Sequence, residues 1–282
     1  MAQLWRDAHR RRFWVYLARQ FLSAVGLAAL ALGLSGTLFP DALTGKGTSI
    51  VTVVLIGSIG FAVAMAWPRE ISQTYDRPDI TIRVVEGDLF DRSGHIMVGM
   101  TTTFDTEQPY IAATSVQAQM LAREYRGDRA ALDADLETAL ATVTPIGEIS
   151  KAGKTTRYEL GTIATLNRGS RRIFCLAYTE MNERNEARAT VDDVWQSLDS
   201  LWTAACAHAN GEILSMPAIG GGQSRLSQVL PLESSIRLTA MSFMLASRRE
   251  RACNGLDIVV HPDQYARLDR WELKAFLRSL HR

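Results

Sequence analysis

Three consecutive glycines, Gly220, Gly221 and Gly222, lie between a strand-like run and a helix-like run. Lacking Cβ atoms, such a loop lets backbone N–H groups approach a diphosphate, and the start of the following helix adds favourable partial charge. Ala218 and Ile219 lead into this loop, Gln223 and Ser224 follow it, and Arg225 supplies a cation for the same anion. An ordinary tight turn fits the same residues, and the dinucleotide fingerprint G-x-G-x-x-G is not satisfied. A second candidate is Gly87-Asp88-Leu89, directly after the β-rich ITIRVV. There Gly87 allows a sharp turn, and Asp88 can accept a hydrogen bond from an exocyclic amine. An aspartate capping a helix is the competing reading. The third candidate is Thr101, Thr102, Thr103, Phe104 and Asp105, after a second strand-like run. It offers hydroxyls, backbone donors and a ring at the carboxyl end of a strand, where α/β proteins bind ligands.

Other chemistries find no support. Gly153-Lys154-Thr155 ends like a phosphate-binding loop, but Gly147 is one residue too far upstream and the residues that follow are strand-like rather than helical. Lys151 and Lys154 are therefore expected in a solvated loop. The five histidines have no metal-ligand spacing. Cys175, Cys206 and Cys253 are far apart and lack any C-x-x-C pair, as in a reducing compartment. No nucleophile elbow or paired-carboxylate motif stands out, so neither a catalytic residue nor a metal or cofactor site is expected.

The elements around these residues fall into two parts. Phe21 to Phe39 and Thr48 to Trp67 contain no charged residue, and only PDALTGKG separates them. Each reaches the roughly 30 Å of a bilayer core, where a helix satisfies its own backbone. Residues 1–67 are thus expected to be a basic segment followed by a two-helix transmembrane hairpin, with helices at about 21–39 and 48–67. Five arginines precede the first span, and Arg69 and Arg77 follow the second, against one lysine in the loop. That bias puts both ends of the hairpin on the cytoplasmic side, with Trp14, Tyr16 and Trp67 at the interfaces. A cleaved signal peptide is the competing reading; it lacks a clear A-x-A site and leaves the second span as an anchor. Small residues four apart, at Ser58, Ala62 and Ala66 and at Gly60 and Ala64, suit close helix packing, within the hairpin or between copies.

Residues 68–79, with two prolines, are expected to form a linker. From residue 80 onward the formal charge is −2, which argues against nucleic acid as a partner. Strand-like segments at 80–85, 96–100, 157–166, 172–178, 212–217 and 256–262 interleave with helix-like segments at 115–125, 232–246 and 263–280. The cleanest helical stripe is Val191, Val194, Trp195, Leu198, Leu201, Trp202 and Ala205. The alternation predicts a three-layer α/β domain over 80–282, with a hairpin making its central sheet mixed.

Taken together, VEGDLFDRSGHIMVGMTTTFDT (85–106), SVQAQM (115–120), YELGTIATL (158–166), FCLAYTEMN (174–182) and PAIGGGQSRL (217–226) resemble a macro domain. With two apolar spans ahead of it, the chain is similar to the membrane-anchored macro effectors of type II Thoeris anti-phage systems. The resemblance implies a bacterial inner-membrane protein with a cytoplasmic macro domain. Its expected role is to bind a histidine conjugate of ADP-ribose, made by a TIR-domain partner, and then to oligomerise and disrupt the bilayer, causing abortive infection. Asp88 would hold the adenine amine, Gly220 to Gly222 would wrap the diphosphate, and Thr101 to Asp105 would line the distal ribose. Ser115 and Gln117 fall within the shared motifs, and Thr179 would help to close the pocket. Hydrolytic macro domains carry asparagine in the loop that here reads TTTFD, so ligand sensing is expected rather than catalysis. A membrane-bound ADP-ribosyl hydrolase and a non-catalytic tether for ADP-ribosylated partners are the alternatives.

Overall fold

The computed structural model describes residues 11–38, 47–66, 70–220, 226 and 229–281. They belong to two compact units, Met1–Arg69 and Glu70–Arg282.

The first unit holds α1 (Arg11–Leu38) and α2 (Gly47–Ala66), which pack on one another. Within them, Phe13–Ser35 and Gly47–Met65 are long and apolar enough to cross a membrane, by length and composition. At 1.5 Å per residue they reach about 34 and 28 Å. Helix α1 begins well before the expected boundary and takes in Trp14, Tyr16 and Arg19, because nothing in RRFWVYLARQ breaks a helix. Phe39 and Trp67 lie outside the described residues. Of the small residues in α2, Ser58 and Ala62 are buried, whereas Gly60 and Ala64 are exposed. Leu22, Leu27, Leu30, Val53 and Ile56 are also exposed, as lipid-facing side chains would be.

The second unit is built on an eight-stranded sheet in the order β1-β2-β10-β9-β3-β7-β6, with β8 paired to β7. The strands are β1 (Ile71–Asp76), β2 (Asp79–Glu86), β3 (His95–Thr101), β6 (Ile163–Arg168), β7 (Arg171–Met181), β8 (Ala187–Arg188), β9 (Ile213–Pro217) and β10 (Gly255–Val260). Five of them, β2, β10, β9, β3 and β7, are mutually parallel, while β1, β6 and β8 pair antiparallel at the margins. Period-two alternation splits the apolar side chains between two cores. In β3, Met97 faces one core and Ile96, Val98 and Met100 the other; in β7, Phe174 and Leu176 oppose Ile173, Cys175 and Ala177.

One core is covered by α5 (Val191–His208), α6 (Leu232–Arg249) and α8 (Arg270–Ser279). Helix α5 starts with a capping box in which Thr190 and Asp193 satisfy each other's backbone N–H, at 3.1 and 2.7 Å. Its buried stripe is Val194, Leu198, Leu201, Trp202 and Ala205, and the Trp202 indole N–H donates to Ser242 Oγ at 2.8 Å. The other core lies under α3 (Val116–Glu124) and α4 (Arg129–Leu140). Burial holds the Cys175 thiol in this core fully protonated, with its pKa pushed up to about 12. The expected three-layer architecture with a mixed sheet is what the chain forms.

Three boundaries differ from expectation. Residues 68–79 are not all linker, because β1 occupies 71–76 as an edge strand on β2. Ile71 and Tyr75 alternate with solvent-facing neighbours and are buried, and the Tyr75 hydroxyl donates to the Leu277 carbonyl at 2.7 Å. The segment expected as one helix over 263–280 is two, α7 (Pro262–Tyr265) and α8, because Asp269 restarts the helix by accepting from the N–H groups of Trp271 and Glu272. Strand β6 begins at Ile163 rather than at residue 157. Arg157 instead belongs to a separate two-stranded hairpin, β4 (Gly147–Glu148) with β5 (Thr156–Arg157). Helix α4, capped by Asp128 and buried through Leu132, Leu136 and Leu140, is an element the sequence reading passed over.

Candidate functional site

The carboxyl ends of the parallel strands converge on a cavity of about 580 Å³. Gly87, Asp88 and Leu89 enter from the end of β2, Gly99 to Thr101 from β3, Pro217 to Gly220 from β9, and Val259, His261, Pro262 and Gln264 from β10 and α7. Tyr178 and Thr179 of β7 and Ala187 of β8 close one side; Thr114 to Gln117, at the start of α3, close another. The volume falls in the roughly 300–1,000 Å³ range of small-molecule sites, at the place where α/β sheets bind ligands.

The polar groups of the lining are held in place. Asp88 Oδ1 accepts from the Phe90 N–H at 2.9 Å, which makes Asp88 the pivot of a turn rather than a helix cap. Its Oδ2 accepts from Arg123 Nη2 of α3 at 2.7 Å, and Arg123 Nη1 reaches Asp91 at 3.1 Å. The carboxylate keeps further lone-pair directions beyond these two bonds. Ser115 is the N-cap of α3, and its Oγ accepts from the Ala118 N–H at 3.1 Å. The positive end of α3 therefore opens on the cavity. Gln117 is buried and donates to Met100 Sδ at 2.6 Å. Thr179 Oγ1 donates to the Met100 carbonyl at 3.3 Å.

The approach to the glycine loop is also fixed. Ser235 of α6 donates to the Ile219 carbonyl at 2.6 Å, and the Ala218 N–H donates to Val259 O at 3.2 Å. Gly220 has φ +95, in the left-handed region where a Cβ is strained. Its φ, rather than crowding, is what calls for glycine, since a Cβ there would sit at an ordinary 3.5 Å from Leu226.

Of the residues singled out from sequence, Gly87, Asp88, Leu89, Thr101, Ser115, Gln117, Thr179, Ala218, Ile219 and Gly220 come together around this one cavity. Gly221, Gly222, Gln223, Ser224 and Arg225 lie outside the described residues. The loop after β3 departs from expectation. Thr102, Thr103, Phe104 and Asp105 are buried but do not join the described lining. Phe104, at φ 50, turns into the core under α3 and α4 and packs edge-on against Tyr158 at 5.6 Å. Asp105 is held instead by Lys151, whose Nζ contacts both its oxygens, at 3.0 and 2.8 Å. The Lys151 side chain is 0% exposed, so Lys151 is not the solvated residue expected. Lys154 pairs with Asp133 at 2.6 Å, and its backbone N–H donates to Asp105 at 2.9 Å.

Tyr178, His261, Gln264 and Gln119 also line the cavity, though nothing in the sequence had singled them out. The carboxyl-end rule, applied to every parallel strand, would have found the first two. Tyr178 lies against Gly99, where a Cβ would come within 2.2 Å of Tyr178 Cε1. His261 is exposed and caps α7, its Nδ1 accepting from the Asp263 N–H at 3.4 Å. No group of three or more His, Cys, Asp or Glu able to hold a metal occurs among the described residues.

Among solved structures, a mutant of the Oceanobacillus iheyensis macrodomain is similar at 12% identity, over 74% of this chain and 96% of that one, with a TM-score of 0.47. The macrodomain of the same organism with ADP is similar at 13% identity, over 76% and 96%, with a TM-score of 0.45. Thermosipho africanus DarTG in complex with ADP-ribose gives 13% identity, over 74% and 48%, with a TM-score of 0.42. Among curated proteins, none matches the chain. The sequence model of the family described as "Thoeris protein ThsA, Macro domain" matches residues 82–261, which takes in most of β2, the α3 start, the β9 loop and the end of β10. The chain belongs to that Thoeris ThsA macro-domain family.

Proposed function

We propose that the chain is a membrane-anchored receptor and effector for an ADP-ribose-derived nucleotide, working in anti-phage defence. The observation that carries this reading is the cavity at the strand ends, where an oriented carboxylate, a helix N-terminus and a glycine-started loop meet. Their chemistry matches the parts of the ligand. Asp88 accepts from the adenine amine, and the N–H groups at the start of α3 and around Gly220 receive the diphosphate. Thr101 and Thr179 stand at the distal ribose.

Among the described lining residues, Asp88 is the only carboxylate and His261 the only imidazole. Asp88 is engaged by the Phe90 N–H and by Arg123, which favours holding the ligand over cleaving it. In this reading the nucleotide is a signal rather than a cofactor, and the chain is a receptor rather than an enzyme. A TIR-domain protein supplies the signal, as the histidine conjugate of ADP-ribose. On the same reading the apolar hairpin anchors the chain in the inner membrane, and the arginine bias at its ends supports a cytoplasmic domain. Binding favours an assembled state in which hairpins cluster and the bilayer is disrupted; for this, the ligand must bind the assembled state more tightly than the free one.

Calorimetry of the full chain in detergent, with ADP-ribose and its histidine conjugate, tests the reading when the recovered ligand is assayed for cleavage and the particle size is followed. Selective binding of intact conjugate with growth in particle size is the expected result. Turnover would make the chain a hydrolase, and binding without assembly a tether.

A further inference from the structure

The Asp105–Lys151 pair is the most deeply buried charge pair among the described residues, with side chains 1% and 0% exposed, and the functional reading leaves it unused. It continues to the cavity wall through hydroxyls. Thr103 Oγ1 donates to Asp105 Oδ2 at 2.5 Å, and Thr101 Oγ1 lies 3.1 Å from Thr103 Oγ1. Proton directions in this row are determined. An ionised carboxylate only accepts, and a threonine hydroxyl has one proton to give. Thr103 gives its proton to Asp105, so the contact between the two threonines takes the proton of Thr101. The Thr101 oxygen is left with lone pairs only. Gly153 makes the arrangement possible, since a Cβ there would fall 2.5 Å from Asp105 Oδ1 and keep the loop from closing on the carboxylate.

Resting on the cavity as the nucleotide site, we propose that Thr103, Asp105 and Lys151 are positioning residues that polarise the row. Through it the Thr101 hydroxyl becomes an obligate acceptor at the cavity wall, selecting a ligand hydroxyl or N–H donor at that point. Asp105, expected to touch the ligand, acts on it from behind the wall.

The test uses the full chain in detergent, ADP-ribose as the probe, and four variants: Thr103→Val, Thr103→Ser, the charge-free pair Asp105→Asn/Lys151→Met, and the triple Thr103→Val/Asp105→Asn/Lys151→Met. Thr103→Val keeps the ion pair and the side-chain shape, and should weaken binding by roughly 5- to 30-fold, the worth of one buried hydrogen bond network link. Thr103→Ser, which retains the hydroxyl, should bind as the native chain does. The triple variant should be no weaker than the weaker of Thr103→Val and the charge-free pair, because the row acts as a unit. Native affinity in Thr103→Val, failure of serine to rescue it, or multiplying losses would overturn the proposal. If the native chain binds only the histidine conjugate, that conjugate replaces ADP-ribose as the probe; if it binds neither, the functional reading fails by itself, and amide exchange of the free protein decides the row. The Tyr158 N–H, bonded to Thr102 O at 2.9 Å, should exchange faster in Thr103→Val and not in Thr103→Ser. Equal protection in both would overturn it.

Discussion

The segments leaving β2 and β3 start alike and end differently. Both follow parallel strands of one sheet, both carry an aspartate, and both point toward the same edge. After β2, Gly87 turns the chain so that Asp88 stays at the cavity, 29% exposed in its side chain and pinned by a backbone N–H and an arginine. After β3, Phe104 drops into the core and takes Asp105 with it, and a lysine 46 positions away neutralises the carboxylate. A strand's carboxyl end therefore marks where a site can be; whether the next side chain turns into the core decides which residues reach it. On the proposed function this separates two kinds of cost: losing Asp88 weighs first on ligand binding, losing Asp105 first on the fold.

Removing each carboxylate should expose that contrast. Asp105→Ala leaves the Lys151 ammonium buried without a counter-charge, with the Ala152 carbonyl as a neutral acceptor, a loss of about 3–5 kcal/mol of stability. Denaturant unfolding of the full chain measures it, and a loss below 1 kcal/mol would mean that the pair is not closed to water. Asp88→Ala should act the other way round. Its ion pair with Arg123 is solvent-facing and worth at most about 1 kcal/mol to the fold. The lost bond to the adenine amine should cost about 1.5–3 kcal/mol of binding, roughly 10- to 150-fold in Kd. Titration with ADP-ribose checks this, and unchanged affinity removes Asp88 from the site.

How far these roles were legible depended on how local their causes are. The α5 stripe, the turn at Gly87 and the apolar spans are written in neighbouring residues, so periodicity and residue type suffice. β1 was harder, because only Ile71 and Tyr75 in a polar ISQTYD carry its buried face, and two prolines nearby read as linker. Helix α4 had a readable stripe in Leu132, Leu136 and Leu140 with Asp128 as cap, so its omission reflects a signal unused rather than absent. The inward turn of Phe104 and the burial of Lys151 have no local signature. They require β5, the 149–155 loop and α4 to be in place, and Lys151-Ala-Gly-Lys154 in isolation reads as a charged surface loop.

The glycine-started loop adds a third, smaller effect at the cavity. Gly220→Ala forces a Cβ into φ +95 while meeting Leu226 only at contact distance. The expected cost is about 1–2 kcal/mol, seen in binding and stability together, because the loop must shift its backbone to relieve the strain. A variant that binds and unfolds as the native chain does would show that the loop adapts without loss.

Arg123→Ala sharpens the comparison most finely. Arg123 is half exposed, and it holds Asp88 from solvent, whereas Lys151 holds Asp105 from the interior. Water can replace a guanidinium at the surface but cannot reach a buried carboxylate. Losing Arg123 should therefore shift the ADP-ribose Kd by no more than about fivefold, because the Phe90 N–H still fixes one Asp88 oxygen. The effect should shrink further in high salt, where a solvent-facing pair is screened within about one Debye length. A loss as large as that of Asp88→Ala would show that Arg123 touches the ligand itself, placing a second charge of the α3 face inside the site.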